Sequence, residues 1–440
     1  MKLRIKLILC CFAALLLLCG CQLLTVDQMY ALPKRPDSFL DLQAAIDTAM
    51  ADLVYCAPIS GENQQIVQSA DLDGDGAEEF LIFAKGSAQQ PLRILVFQEY
   101  NGAFNLMDTV SCNGSGFDRV EYAQMDGLPG MEIIVGRQLS NQVLRFVSVY
   151  SYAGGSAQQL LNTGYSQFLP ADMDEDSLSE LFILRPGPEE NAPGAAELYG
   201  MENGAMERSI ELALSGPSDG IKRVVYGRLQ GGSPAVYVAS NLQEGSLITD
   251  VYAVLDGVFT NVAAGNDSDT GVQTNRNYYV YADDMDSDGV IELPALVDMI
   301  PITQDDDWAD QKLIRWYAMD KFGATVDKLY TYHDFIAGWY IEVDSAWAGR
   351  LTVAQQGSDY DFFLWDKNFR TPMRILTVSV LTGQNREQLA DAGDYVILHR
   401  TDTAIYAALM SSAAEEYDIT PENLTGRFHL IRQAWNSGET

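Results

Sequence analysis

Polar and apolar positions along the chain change period twice. Lys2, Arg4 and Lys6 precede an apolar run over residues 7–18, and Leu18-Cys19-Gly20-Cys21 follows. A cationic start, a short apolar core and a small residue before a cysteine predict a signal peptide over residues 1–20, with Cys21 lipidated as the first mature residue. Buried methylenes of the acyl chains would then anchor the protein to the outer face of the membrane. Residues 21–37, with Pro33 and Pro36, read as a tether. From Ser38 the apolar residues Phe39, Leu42, Ile46, Ala49 and Leu53 recur at helical spacing, with Ser38 placed as N-cap.

After the helix the period falls to two. Alternating segments such as LRILVFQEY (92–100) and FNLMDTV (104–110) flank Asn101-Gly102, and similar segments flank Gly154-Gly155, Asn203-Gly204 and Asp256-Gly257. Such dipeptides tolerate the positive φ of tight hairpin turns. Each turn follows the start of a loop of common design by 29–31 residues. These loops begin at 71, 124, 172, 227 and 284, so the unit recurs every 48–57 residues, with a late hairpin near Asp320–Gly323 in the fifth after an acidic insertion at 305–307. Strand, loop, strand and hairpin in each unit predict a mainly β fold: a β-propeller of about five four-stranded blades over residues 38–334, entered by the helix, with an open or stacked β-array as the alternative.

The loops carry the candidate chemistry. Asp71, Asp73, Asp75 and Glu79 stand at positions one, three, five and nine of the first; Asp172, Asp174, Asp176 and Glu180 repeat the pattern, as do Asp284, Asp286, Asp288 and Glu292. Alternating acids in a tight turn point hard oxygens at one centre, as Ca²⁺ requires, and position seven (Ala77, Leu178, Val290) would add a carbonyl. Gly76 and Gly289 permit the bend, whereas the Asp172 loop lacks both turn glycines. Polar turns in which Asp side chains bond their own backbone are the alternative. The loop from Gln124 to Glu132 has lost two acids, so that Asp126 and Glu132 are expected to cap or pair locally, and the loop from Gly227 to Ala235 keeps only the shape.

These residues resemble the FG-GAP or VCBS repeats, the integrin-alpha-like propellers whose DxDxDGxxD/E loops bind calcium. The resemblance covers residues 60–332, and DLDGDGAEE at 71–79 is its most specific piece. The whole chain resembles VCBS-repeat lipoproteins of Gram-positive bacteria, with Glu where the family's ninth position is often Asp.

Composition narrows the function. The net charge is −33, and without residues 1–20 there are 25 basic residues against 61 acidic, which excludes a phosphate-backbone binder and leaves no nucleic acid as the expectation. No HExxH, Walker or GxSxG pattern occurs, and His333, His399 and His429 stand apart. In an export form Cys56 and Cys112 are either a disulfide or two buried thiols.

Residues 335–440 lose the repeat frame and read as an α+β domain, or alternatively as one or two degenerate blades: strands GWYIEV, RLTVAQ, DFFLW, RILTVSVL, YVILHR and AIYAAL, then a helix capped by Thr420 with Pro421 in its first turn and Leu424, Phe428, Ile431 and Trp435 on one face. Trp339, Trp347 and Trp365 are expected in the core rather than on a sugar-stacking platform. The expectation is a lipoprotein that is not an enzyme and serves as a ligand-binding or scaffold module at the cell surface. Its partners would be the membrane, through Cys21, and an extracellular protein or glycan. The alternatives are an extracytoplasmic enzyme acting on polysaccharide and a purely structural envelope component.

Overall fold

A computed structural model describes residues 37–86, 92–139, 145–187, 192–243, 245–264, 274–301, 312–368 and 370–431. The signal peptide, Cys21, most of the tether, the acids at 305–307 and Trp435 lie outside these residues. Among the described residues no helix is long and apolar enough to cross a membrane.

The fold is mainly β, built from successive antiparallel sheets. Sheet 1 holds Val67–Ala70, Glu79–Lys85, Leu92–Tyr100 and Ala103–Cys112, with Val54–Tyr55 added on Glu79–Lys85. Sheet 2 holds Gly116–Ala123, Glu132–Gln138, Arg145–Ser151 and Gln158–Tyr165; sheet 3 holds Gln167–Ala171, Glu180–Arg185, Pro193–Glu202 and Ala205–Pro217. Ile221–Arg228, Pro234–Gln243, Ser246–Leu255 and Val258–Asn261 form sheet 4, each strand again hydrogen-bonded to the next. The turn dipeptides do what their chemistry demands: Asn101, Asn203 and Asp256 adopt φ of 51° to 52°, followed by glycines at 77° to 84°.

Sheet 5 comprises Glu292–Asp298, Lys312–Met319, Thr325–Asp334 and Trp339–Val343, so the segment expected to open the C-terminal domain completes this sheet. Phe428–Leu430 adds a fifth strand beside Trp339–Val343. That pairing replaces part of the predicted C-terminal helix. The helix, here α3, spans Pro421–Arg427 with the expected cap at Thr420, completed to a capping box by Asn423, but it stops before Phe428. Phe428 gains more as an edge strand, where its ring stacks on Trp339 at a centroid distance of 5.6 Å. Sheet 6 runs Leu351–Gln356, Asp359–Trp365, Pro372–Thr382, Ala404–Met410, Val396–Arg400 in spatial order.

Alternation puts one apolar row of each sheet against the next. Leu81, Phe83 and Ile94 of sheet 1 meet Phe117, Ile133 and Val135 of sheet 2. The next interfaces are Ile134 and Val149 against Leu181 and Ile183, Phe182 and Leu198 against Val236 and Tyr252, and Tyr237 and Val251 against Leu293 and Tyr317. Leu313, Tyr332 and Trp339 then join Leu351, Phe362 and Ile375 of sheet 6.

The outer faces of the two end sheets are covered by helices. Helix α1 (Asp37–Ala49) lays Leu42 and Ile46 on Ile82, Leu95 and Phe97 of sheet 1; it begins one residue before Ser38, which therefore lies inside it. Helix α2 (Arg386–Ala392) sets Ala390 against Leu381, Ile405 and Ala407 of sheet 6. Among the described residues no buried cluster joins sheet 1 to sheet 6, and the ring closure of a propeller is not seen.

Candidate metal centres

The first and third acidic loops connect the first two strands of their sheets, and the fifth leads into the first strand of sheet 5 from an isolated bridge between Asp283 and Glu292. In the first loop, the Asp71 carboxylate accepts the N–H groups of Gly74 (2.7 Å) and Gly76 (3.1 Å), Asp73 accepts from Asp75 (3.1 Å) and Asp75 from Ala77 (2.7 Å). The third and fifth loops repeat the bonds from the sixth amide to the first acid and from the seventh amide to the fifth acid. The left-handed backbone of the sixth position is met by Gly76 (φ 88°) and Gly289 (φ 84°), and also by Ser177 (φ 76°), so the loop without glycines keeps the shape at a conformational cost.

Position nine ties the loop to the sheet. Glu79, Glu132, Glu180 and Glu292 each accept the N–H of the residue at position two with one carboxylate oxygen, at 2.7 to 2.9 Å. The position-two side chains Leu72, Met125 and Met173 are buried plugs, a regularity visible in the sequence once the loops are aligned.

The side chains that converge are those of positions one, three and nine. Asp71, Asp73 and Glu79 bring one oxygen each within 4.8 Å of one another, as do Asp172, Asp174 and Glu180, and Asp284, Asp286 and Glu292. Asp75, Asp176 and Asp288 stand outside these triads; Asp288 is engaged by Lys328 at 2.7 Å, which holds its carboxyl below the usual range. Ala77, Leu178 and Val290 contribute backbone to the same loops, their N–H groups bonded to the acids at position five.

Burial raises the position-nine carboxyl in every loop that has one, Glu132 of the loop without a triad included, which it pushes up to about 7. Burial, with the charges of Asp284's neighbours Asp286 and Asp288, pushes Glu292 up to about 7 against the bond from Met285. Burial pushes Glu180 to about 7 as well and raises Glu79. Glu292 has no exposed surface, and its Oε1 takes no hydrogen bond. Asp172 Oδ1 is likewise buried without a partner. A buried carboxylate oxygen left unpaired costs free energy that a cation would recover. The triads are thus hard-oxygen clusters that can hold a metal ion.

The loop at 124–132 shows how the same frame closes without one. Gln124 Nε2 donates to the carbonyls of Leu128 and Gly130, and the Ser151 hydroxyl donates to Asp126 at 2.7 Å. Asp126 and Glu132 therefore pair locally, as the missing acids implied. In the fourth loop Gly231 and Gly232 make a tight turn, and Arg228 reaches across to Glu175 of the third.

What lies across from position nine was not legible from the loops alone. The register sets Phe80 opposite Phe97, Ile133 opposite Tyr150, Leu181 opposite Tyr199 and Glu292 opposite Ala318, so the facing residues are Gln98, Ser151, Gly200 and Ala318. Gln98 Nε2 covers Glu79 (3.2 Å) and Asp73 (3.4 Å). Gly200 covers nothing, and the third triad opens on a cavity of about 200 Å³ lined by Asp174, Glu180, Glu202, Glu207 and Phe259.

Neighbouring loops are also joined. The Met131 N–H donates to the Asp71 carbonyl at 3.0 Å, Ser179 to Gln124 at 2.7 Å and Ile291 to Arg228 at 3.0 Å.

The remaining candidates are structural. Cys56 and Cys112 are free thiols in one core cluster, not a disulfide; burial pushes Cys112 up to about 11, and it acts as an apolar filler. Trp339 and Trp347 are buried, and Trp365 donates its Nε1 to Thr352 at 2.8 Å. His333 is buried and held down to about 3 by desolvation, His399 is exposed, and His429 pairs with Glu342 at 2.9 Å.

No family model matches the chain, and no curated protein does. Among solved structures it is similar to the rhamnogalacturonan lyase YesW at 11% identity and a TM-score of 0.32, with 72% of this chain and 67% of that one covered. A rhamnogalacturonan lyase of Bacillus licheniformis is similar at 13% identity and a TM-score of 0.29, over 73% of this chain and 72% of that one. A protein from Lactobacillus plantarum is similar at 9% identity and a TM-score of 0.28, over 74% and 95%. The expectation that the chain is not an enzyme is corrected against these neighbours, two of which carry the name of a lyase. With TM-scores below 0.5, they carry no reaction or substrate over to this chain.

Proposed function

We propose that this protein is an extracytoplasmic, lipid-anchored β-repeat protein of FG-GAP/VCBS type that holds calcium in the loops at 71–79, 172–180 and 284–292 and meets a polysaccharide or protein ligand at the cell surface. The observation that carries the reading is the threefold recurrence of the one-three-nine triad, with a fully buried, half-unpaired Glu292 in the last. Three acids converging without a cation repel one another, and a turn needs only one or two of them. The loops supply carboxylates to a hard cation, and Lys328 and Gln98 occupy the flanks. The sheets are read as blades of a propeller-like fan whose ends are covered by α1 and α2. Anchoring through Cys21 rests on the lipobox-like start.

Thermal unfolding of residues 27–440 in EDTA and then in calcium tests the metal reading, with calorimetric titration for stoichiometry. At about 2 mM calcium and a Kd of about 0.1 mM, each site adds about 1.8 kcal/mol by binding the folded state alone. Three sites and a rise in Tm are expected; no heat and no shift would reduce the loops to acidic turns. Labelling cells with a fatty-acid analogue tests the anchor, since Cys21→Ser should abolish incorporation.

The second reading is an enzyme acting on polysaccharide, which the names of the lyase structures bring forward for testing. Incubation of the calcium-loaded protein with rhamnogalacturonan and with neutral cell-wall glycans, followed by ultraviolet absorbance for unsaturated ends and by reducing-end assay, decides it. No product from any of them leaves binding or scaffolding as the function.

A further inference from the structure

We infer that the concave patch formed by Gly245, Asn277, Tyr278, Tyr279 and Phe335 is a binding site for a neutral sugar ring. The inference rests on the reading that the protein meets polysaccharide outside the cytoplasm, and it is independent of the calcium sites. It starts from the run Asn277-Tyr278-Tyr279-Val280-Tyr281, which lies between sheets 4 and 5. Val280 and Tyr281 turn inward and are buried, with Tyr281 packed on Ala239 and Leu247 of sheet 4. Asn277 and Tyr279 remain exposed, and Tyr278 is half-buried.

The loop is braced from beneath. Arg276, 5% exposed, donates Nε to the Val280 carbonyl at 2.6 Å and Nη1 to the Thr249 hydroxyl and the Thr274 carbonyl, each at 3.0 Å. Its backbone exchanges two 2.8 Å hydrogen bonds with Leu247. A buried guanidinium tied to three oxygens holds the two flanks of the loop in register, so the outward side chains stand on a fixed base. The rings are held as well: the Tyr279 hydroxyl accepts the Gly245 N–H at 3.2 Å, and Tyr278 meets Phe335 edge-on at a centroid distance of 5.5 Å.

The cavity has a volume of about 440 Å³, within the span of small-molecule sites. The exposed Tyr279 ring gives a face on which the C–H side of a pyranose can lie, the half-buried Tyr278 and Phe335 form an apolar wall beside it, and the Asn277 carboxamide offers a donor and an acceptor to ring hydroxyls. Among the described residues no lining side chain carries a charge, on a chain with 61 acidic and 28 basic residues. Among the described lining residues a phosphate or uronate would find no cation, and it would meet the field of a net charge of −33, so the patch favours an uncharged, hydroxylated ligand.

The test is calorimetric titration of the calcium-loaded protein with xylohexaose, cellohexaose and mannohexaose, beside hexagalacturonate as the anionic probe. Binding of at least one neutral hexasaccharide is expected, with hexagalacturonate silent. Tyr279→Ala should weaken that binding about tenfold at unchanged Tm, while Tyr279→Phe, which keeps the ring and loses only its bond from Gly245, should bind within about threefold of the parent. Silence from all three neutral probes, preference for hexagalacturonate, or unchanged binding by Tyr279→Ala overturns the site. Calcium titration of the same preparation separates the two ideas: metal binding without sugar binding sinks only this inference, and sugar binding without metal sinks only the calcium sites.

Discussion

Glu292 concentrates the chemistry of the loops in one side chain. Its Oε2 accepts the Met285 N–H at 2.9 Å, its Oε1 takes no hydrogen bond, and two aspartates crowd it. Glu292→Gln keeps an acceptor for Met285 and removes a buried negative charge. In EDTA the variant should therefore melt above the parent. In calcium it should lose one of three sites and about 1.8 kcal/mol of metal-dependent stabilisation, read by calorimetry. An unchanged calcium shift would show that this triad holds no ion. His333 supplies a pH dependence of a different origin. It stacks on Tyr340 at 4.9 Å near Trp316 and Phe335, and burial holds it down to about 3. The unfolded chain takes up the proton near 6.5, so its contribution to stability is complete above that pH. It is lost as the pH falls toward 3, by about 1.4 kcal/mol per unit. His333→Phe preserves the stack and should flatten this part of a urea-midpoint profile between pH 6.5 and 4; a parallel profile would assign the acid sensitivity to other groups.

At the scale of elements, what covers an open face matters most. Helix α1 has 13 residues, too few to hold helical shape alone in water, so it depends on sheet 1 as much as it protects it. Ile46, 3% exposed against Ile82, Leu95 and Phe97, is the central contact. Ile46→Ala should cost about 2–4 kcal/mol in urea unfolding and increase binding of an apolar dye, because detachment of α1 bares a whole sheet face. A loss under 1 kcal/mol would mean that α1 is not needed as a cover. The same scale explains what could be read from sequence. Hairpins were legible because Asn-Gly and Asp-Gly specify local backbone, and loop spacing was legible because one unit recurs. The end of α3 was not, since Phe428 fits the helical period and is drawn instead to an edge 87 residues earlier, where the next residue, His429, meets Glu342. Nor were Gln98, Ser151 and Gly200, whose meaning comes only from the register that sets them across from position nine.

For the molecule as a whole, the sheets stack by nearest-neighbour interfaces, while the loops form a second connection in series at one end. Gly130 marks the closest approach: it has φ of 102°, and a Cβ there would lie 2.2 Å from the Leu72 carbonyl oxygen. The Met131 N–H beside it bonds the Asp71 carbonyl, at the first position of a triad. A cation in the Asp71 loop would fix the acceptor of that bond, and one in the 284–292 loop would fix its Ile291 donor to Arg228. Calcium should therefore slow hydrogen exchange at Met131 and Ile291 by more than tenfold, through local opening that releases one ion, while amides deep in the sheets, such as Phe83 and Val149, follow the larger gain in global stability. Gly130→Ala should erase the response at Met131 and spare that at Ile291, because strain on the order of 1–3 kcal/mol and a backbone clash separate only the first pair of loops. Equal slowing at all four amides would show that calcium acts by global stability alone, and no slowing anywhere would detach the loops from the metal altogether.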